Sequence, residues 1–114
     1  MRFRRALDRG NVTEALSAAS ELDFVSLADA LELTLLLVDQ EPAKYERAAF
    51  RWHSRFVAEV PNLELRESQA VLALLVAIPV NRLAAAALGE LLSRRRSCER
   101  IAEALARWSR TAAA

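Results

Sequence analysis

The chain of 114 residues is 54% hydrophobic and 27% charged, a balance that is typical of a folded domain and excludes an intrinsically disordered chain. Its formal net charge of +1 excludes the uniformly basic character of a histone-like protein. A single cysteine excludes an intramolecular disulfide, so we expect a reducing compartment and a cytoplasmic location. One domain over residues 1–114 is the expected organisation.

Helix-capping residues divide the first part of the chain into three predicted helices. A short helix over Phe3–Asp8 ends before Gly10, because glycine adopts the left-handed conformation that often follows a helix. Asn11 is the predicted cap of the second helix, with Glu14 at the capping-box position. Ser26 is the predicted cap of a third helix, which runs to about residue 39.

Prolines and asparagines separate the remaining helices. Pro42 fits the first turn of a fourth helix that continues to about Val60, since proline lacks only a hydrogen bond that this turn does not make. The fifth helix spans about 65–78. Asn81 is the predicted cap of a sixth helix that reaches residue 94 or 95, and Ser97 is the predicted cap of a seventh that reaches about residue 109. No segment has the alternation of a strand.

Two of these helices are apolar around almost their whole circumference. In the third helix the apolar residues centre on Leu35, and in the fifth they centre on Leu74. We expect these two helices to be central and the helices with one apolar stripe to pack around them. The predicted fold is all-α, a compact stack of six or seven antiparallel helices, arranged either like an α-solenoid or as an orthogonal bundle.

One stretch of the chain resembles a known repeat. The segment Ala6–Leu16, with a glycine before the turn and Glu-Ala-Leu after it, resembles the turn and second helix of a tetratricopeptide hairpin. The resemblance covers about residues 6–22, and the pattern does not recur at that family's period of about 34 residues. It implies a helical hairpin, and in a full repeat array it implies a superhelical groove for a peptide or a partner helix.

The residue types that carry chemistry are sparse. His53 is the only histidine, and the sequence places neither a nucleophile nor an orienting carboxylate beside it. Cys98 follows three arginines, which could lower its pKa, but it also continues an apolar stripe, and we prefer a core position. Glycines occur only at 10 and 89, so no phosphate-binding loop can be built. We expect no enzyme activity, no catalytic or metal-binding residue and no cofactor.

The most suggestive surface is a row of positive charge on the fourth helix, formed by Lys44, Arg47, Arg51 and Arg55. Residues three and four apart lie on one face of a helix, and like charges at that spacing are unfavourable. Neighbouring carboxylates such as Glu41, Glu46 and Glu59 would compensate them in a charge ladder, which is our preferred interpretation. The functional interpretation is a face for an anion or an acidic partner.

A second basic cluster joins the sixth and seventh helices and contains Arg94, Arg95, Arg96 and Arg100. Nucleic acid is the obvious ligand for such a cluster, since arginine makes many phosphate contacts. Glu99 and Glu103 interrupt it, so solvated helix ends with compensating carboxylates are the preferred interpretation.

These observations favour a binding function. We expect a non-enzymatic module for protein–protein interaction or self-association, with a homodimer as one form. The alternative is a protein that binds nucleic acid or another anion through its arginine clusters. No membrane contact is expected, because the longest apolar run, residues 70–78, is too short to span a bilayer. The candidate interface residues are apolar: Phe50, Ala84, Ala87 and Trp108.

Overall fold

The computed structural model describes the backbone of residues 1–113 and the side chains of residues 1–111; Ala114, the end of the expected domain, lies outside the described residues. The described chain contains α-helices, one short 3-10 helix and no strand, which confirms the all-α prediction. The α-helices are α1 (Arg2–Asp8), α2 (Val12–Ser20), α3 (Leu27–Gln40), α4 (Pro42–Glu59), α5 (Leu65–Ala77), α6 (Leu83–Leu92) and α7 (Glu99–Ala113).

Local capping determines where the early helices begin. The Asn11 side chain accepts a hydrogen bond of 3.0 Å from the amide of Glu14, and the Ser26 hydroxyl accepts one of 3.2 Å from the amide of Asp29. Gly10 has a φ of 67°, as expected for the residue that separates α1 from α2. These ends were predictable because each depends on residues three positions apart.

The ends of the last two helices differ from the prediction. Asn81 accepts a hydrogen bond from the amide of Leu83, so α6 begins two residues after the predicted cap. Ser97 does not cap α7 but lies inside a 3-10 helix, Arg96–Cys98, that precedes it. The residue before this 3-10 helix, Arg95, makes a long-range contact that the sequence did not predict: it is bound to the segment that connects α4 and α5.

Five helices enclose the main core. Each helix from α3 to α7 packs against the next, and α7 returns to pack against α3, which closes the circuit. This closure makes the fold a bundle rather than an open solenoid, so of the two predicted arrangements the bundle is the one observed. The most buried large side chains of the circuit come from all five helices: Leu31, Leu35, Phe56, Val71, Leu75, Ile78, Leu88 and Leu105.

The central position predicted for α3 is confirmed. Leu31 and Leu35 are fully buried in the main core, whereas α1 and α2 form a small second core around Phe3. Leu33 and Leu36 of α3 pack against both cores. The helix is apolar on nearly all sides because it lies between them.

The central position predicted for α5 is wrong. Val71 and Leu75 are buried, but Leu65 and Val76 are 77% and 66% exposed, so one apolar side of α5 faces solvent. Helical periodicity shows how far apolar residues extend around a helix, but it does not show whether another helix covers each side. None of the described helices combines the length and the apolarity that crossing a bilayer would take.

Candidate functional site

The predicted basic row of α4 divides into paired and unpaired members. Arg55 is fully engaged: it donates 2.8 Å hydrogen bonds to the carboxylate of Glu59 and to the carbonyl oxygen of Val25, and it lies over the ring of Phe24. These contacts fasten the segment before α3 to the end of α4. Arg55 therefore has a structural role, and its contacts leave it less available to a ligand than a free arginine would be.

The other end of the row is more open. Lys44 forms an ion pair of 2.8 Å with Glu41, one turn earlier. Arg47 and Arg51 are exposed and form no ion pair with any side chain that the structure describes. The predicted charge ladder thus compensates only the two ends of the row, and its middle is left with two uncompensated charges about 6 Å apart along the helix axis.

These two arginines border a groove between α2 and α4, which we call the cationic groove. Its apolar lining is contributed by Leu16, Leu37, Ala43 and Ala48, and its charged lining by Lys44, Arg47 and Arg51. The groove has a volume of about 400 Å³, and no carboxylate is among the described residues that line it. It therefore combines an aliphatic surface with charged residues that are all positive.

A second groove lies on the opposite side of α4, against α5, and we call it the apolar groove. Its volume is about 810 Å³. Phe50, which is 65% exposed, and the exposed Val76 of α5 both line this groove. Leu72 and Pro79 extend the same lining, and Glu46 is its acidic member. The sequence analysis selected Phe50 but missed the α5 residues. The signal for them was that α5 carries more apolar residues than a single core-facing side needs.

The two grooves are parts of one surface because Ala43 and Arg47 line both of them. Ala43 is small and exposed at the start of α4, so the helix presents a low ridge there between the grooves. We call this continuous region, from the cationic groove across the ridge to the apolar groove, the α4 surface.

Three hydrogen bonds from buried or half-buried side chains hold α4 in place beneath this surface. The Tyr45 hydroxyl donates to the carbonyl oxygen of Leu75 over 2.7 Å, and burial raises the pKa of Tyr45 well above its ordinary value. On the other side, the Trp52 indole N–H donates to the carbonyl oxygen of Leu27 over 2.8 Å. The grooves are therefore formed by fixed helices.

His53 completes this support. Its Nε2 atom lies 2.9 Å from the carbonyl oxygen of Ser68 in α5, and its ring lies 6.4 Å from that of Phe56. Because a carbonyl oxygen can only accept, Nε2 donates this hydrogen bond. The histidine connects α4 to α5 and is a half-buried residue on one face of its helix.

Arg95, predicted to belong to a basic binding cluster, forms a structural clamp. It makes hydrogen bonds of 2.9 and 2.6 Å to the carboxylate of Glu67 and donates to the carbonyl oxygens of Pro61 and Asn62. The hydrogen bond from Arg95 lowers the pKa of Glu67 below its ordinary value. Arg95 therefore joins the link after α6 to the start of α5.

The other members of that cluster lie on the link after α6 and in the first turn of α7. Arg94, Arg96 and Arg100 are exposed and form no ion pair with the described side chains. Arg95 itself is bound at Pro61, beyond the carboxyl end of α4, and none of the described residues that line the cationic groove belongs to this cluster.

The basic amino terminus is engaged in the fold. Arg2 pairs with Glu21, and Arg9 pairs with Glu14. Arg4 of α1 and Arg107 of α7 both bind Glu32 of α3. Of these ion pairs, the one between Arg4 and Glu32 fastens the α1–α2 hairpin to the five-helix circuit.

The four predicted interface residues do not form one patch. Ala84 is only 6% exposed and belongs to the core, so it has little surface to offer to a partner. Ala87 is exposed on α6. Trp108 is half-buried against the core, and the guanidinium of Arg82 lies 5.0 Å from its ring centroid. Of the four, Phe50 is the one that lines a groove of the α4 surface.

Cys98 has the core position that the sequence favoured. Its side chain is fully buried, and burial raises the pKa of the Cys98 thiol. Arg95 lies close enough to lower that pKa, but desolvation is the larger effect. The thiolate is thus disfavoured in the native fold.

The chain matches no protein-family model, no curated protein and no solved structure.

Proposed function

We propose that this protein is a non-enzymatic binding domain whose α4 surface docks a segment of another protein. The observation that carries the proposal is the apolar groove, where Phe50 and Val76 are each about two-thirds exposed on fixed helices. Large apolar side chains that converge on one concave surface are typical of docking sites, whereas isolated exposed ones need no explanation.

The shape of the site supports a helical or extended segment as the ligand. The apolar groove follows the contact between two helices, which is the arrangement in which an amphipathic helix inserts its apolar side chains. An aromatic residue beside a groove is also a common source of binding energy at protein interfaces. Phe50 is therefore the expected anchor.

An unbiased library of displayed peptides, selected against the intact protein, tests the proposal. We expect enriched peptides to bind the wild-type chain and to lose at least tenfold in affinity with Phe50→Asp or Val76→Asp. Leu65→Asp is the matched control, because Leu65 is at least as exposed on α5 but does not line the groove. Circular dichroism of each variant establishes that the fold is intact.

Two results would contradict the proposal. One is the absence of any enriched peptide, and the other is unchanged affinity of the enriched peptides for both groove variants. A concentration-dependent dimer in sedimentation equilibrium that is disrupted by Phe50→Asp, without any peptide binding, would make a second copy of the chain the occupant instead.

A second candidate function, nucleic-acid or anion binding, is favoured by the exposed Arg94, Arg96 and Arg100. Phosphate contacts release counterions, so affinity for a DNA or RNA oligonucleotide should fall steeply with salt. Titration of single- and double-stranded oligonucleotides at several salt concentrations tests this candidate. A triple Arg→Gln variant at these positions should abolish the binding, and binding that the variant retains would contradict it.

A further inference from the structure

We infer that the segment docked on the α4 surface is acidic along one edge: its apolar side chains enter the apolar groove, and its carboxylates reach the cationic groove. The inference rests on the proposed function and adds the chemistry of the partner. It is based on charge complementarity, because Arg47 and Arg51 are exposed, unpaired cations beside the aliphatic lining of the cationic groove, where the third cation, Lys44, is already paired with Glu41.

The two arginines impose an electrostatic cost on the free protein. Like charges four residues apart on a helix repel each other, and Lys44 adds a third positive charge one turn earlier. The described structure compensates only Lys44, through Glu41. A ligand that brings carboxylates to this edge offsets the repulsion between the arginines, and this relief makes the free energy of binding more favourable.

The spacing of the cations specifies the spacing of the carboxylates. Positions 44, 47 and 51 are separated by three and four residues, or about 4.5 and 6 Å along the axis. A helix that lies along α4 presents side chains at the same intervals when its acidic residues are also three or four apart. An arginine fork donates two parallel hydrogen bonds to a carboxylate, which makes this match specific.

Glu46 determines which edge of the ligand is acidic. It lines the apolar groove on the α5 side of the helix, whereas Arg51 lines only the cationic groove and Arg47 lines both. A carboxylate on the α5 side therefore meets Glu46 as well as Arg47, whereas the lining of the cationic groove supplies cations and no carboxylate. The surface therefore selects one orientation of an amphipathic acidic segment.

The lining of the grooves favours a peptide over nucleic acid. Leu16, Leu37, Leu72 and Val76 are aliphatic, and burying aliphatic surface is favourable only if the ligand supplies apolar side chains. A single-stranded nucleic acid uses successive aromatic platforms for its bases, and the α4 surface offers one aromatic residue at its edge, Phe50, apart from the buried Tyr45.

The test uses the peptides enriched from the unbiased library and their Glu→Gln and Asp→Asn counterparts. We expect enriched sequences to carry apolar residues and carboxylates at intervals of three and four. Neutralising those carboxylates should weaken binding about tenfold at low salt, and the double variant Arg47→Gln/Arg51→Gln should weaken it equally. Arg66→Gln is the matched control, since Arg66 is an exposed, unpaired arginine on α5 outside both grooves.

The possible results separate the inference from the proposed function. Enrichment of neutral or basic peptides that still require Phe50 but are insensitive to the double arginine variant would overturn the inference and leave the proposed function standing. Peptides that are insensitive to Phe50→Asp as well would overturn both. Displacement of acidic peptides by higher salt supports the inference, whereas an oligonucleotide that binds through Arg47 and Arg51 when no peptide is enriched overturns it.

Discussion

The hydrogen bond between Tyr45 and Leu75 compensates for a proline. In a regular helix the carbonyl oxygen of Leu75 would accept a hydrogen bond from the amide of residue 79, but that residue is Pro79, which has no N–H. The Tyr45 hydroxyl supplies the missing donor over 2.7 Å. Both groups are buried, so water cannot replace either of them.

The substitution Tyr45→Phe removes this donor while leaving the ring in place. Tyr45 is 3% exposed, and the change creates almost no cavity. The cost is the desolvation of a buried carbonyl oxygen without a partner, about 1–3 kcal/mol of the free energy of unfolding. For a chain of this size the melting temperature should fall by about 4 °C per kcal/mol, or about 4–12 °C in total.

Urea denaturation followed by circular dichroism measures this cost, and a double-mutant cycle with Pro79→Ala tests its cause. The Pro79→Ala variant has a backbone amide at this position, which can donate to Leu75 if α5 extends by a turn. The penalty of Tyr45→Phe should then be smaller in the Pro79→Ala background than in the wild type. A penalty below about 0.5 kcal/mol in the wild type, or an equal penalty in both backgrounds, would refute the reasoning.

Three further predictions concern packing, pH and thiol reactivity. A Cβ at Gly89 would lie 3.4 Å from that of Leu105, so Gly89→Ala should raise stability by about 0.5–1 kcal/mol through helix propensity, whereas Gly89→Val should lower it in thermal melts. Arg95 lowers the pKa of Glu67, so their ion pair contributes its full stability at a pH above 4.5, the ordinary pKa of the group. That contribution is lost as the pH falls through the lower pKa of the folded state, and Glu67→Gln should flatten the dependence of the free energy of unfolding on pH in that range. Cys98 should resist alkylation in the native protein and react in denaturant; rapid native labelling would contradict its burial.

The parts of the fold that were predictable from sequence depend on short-range interactions. The Asn11 and Ser26 caps and the proline at the start of α4 act over three or four residues, and the structure has all of them. The contact between α3 and α7 closes the bundle, but it joins segments about sixty residues apart. No local pattern encodes that contact, so the choice between solenoid and bundle stayed open.

The error at α5 shows how a functional surface differs from a core in sequence. Val76 and Leu75 are adjacent apolar residues of one helix, yet the first is two-thirds exposed and the second is buried. Both a second core and a docking surface place apolar residues on an additional side of a helix. For α3 the additional side meets the α1–α2 hairpin, and for α5 the described chain leaves it uncovered.

For the basic row, the sequence alone indicates which side chains form local ion pairs and which remain unpaired. Lys44 has a carboxylate three residues before it and Arg55 has one four residues after it, and both ion pairs form. Arg47 and Arg51 have no acidic residue at either interval, so local pairing leaves them unpaired. Only the tertiary fold could place a distant carboxylate there, and it places aliphatic side chains instead. The positive charge of the α4 surface therefore has two causes. No acidic residue lies three or four positions from Arg47 or Arg51, and the described fold brings no distant carboxylate into the cationic groove.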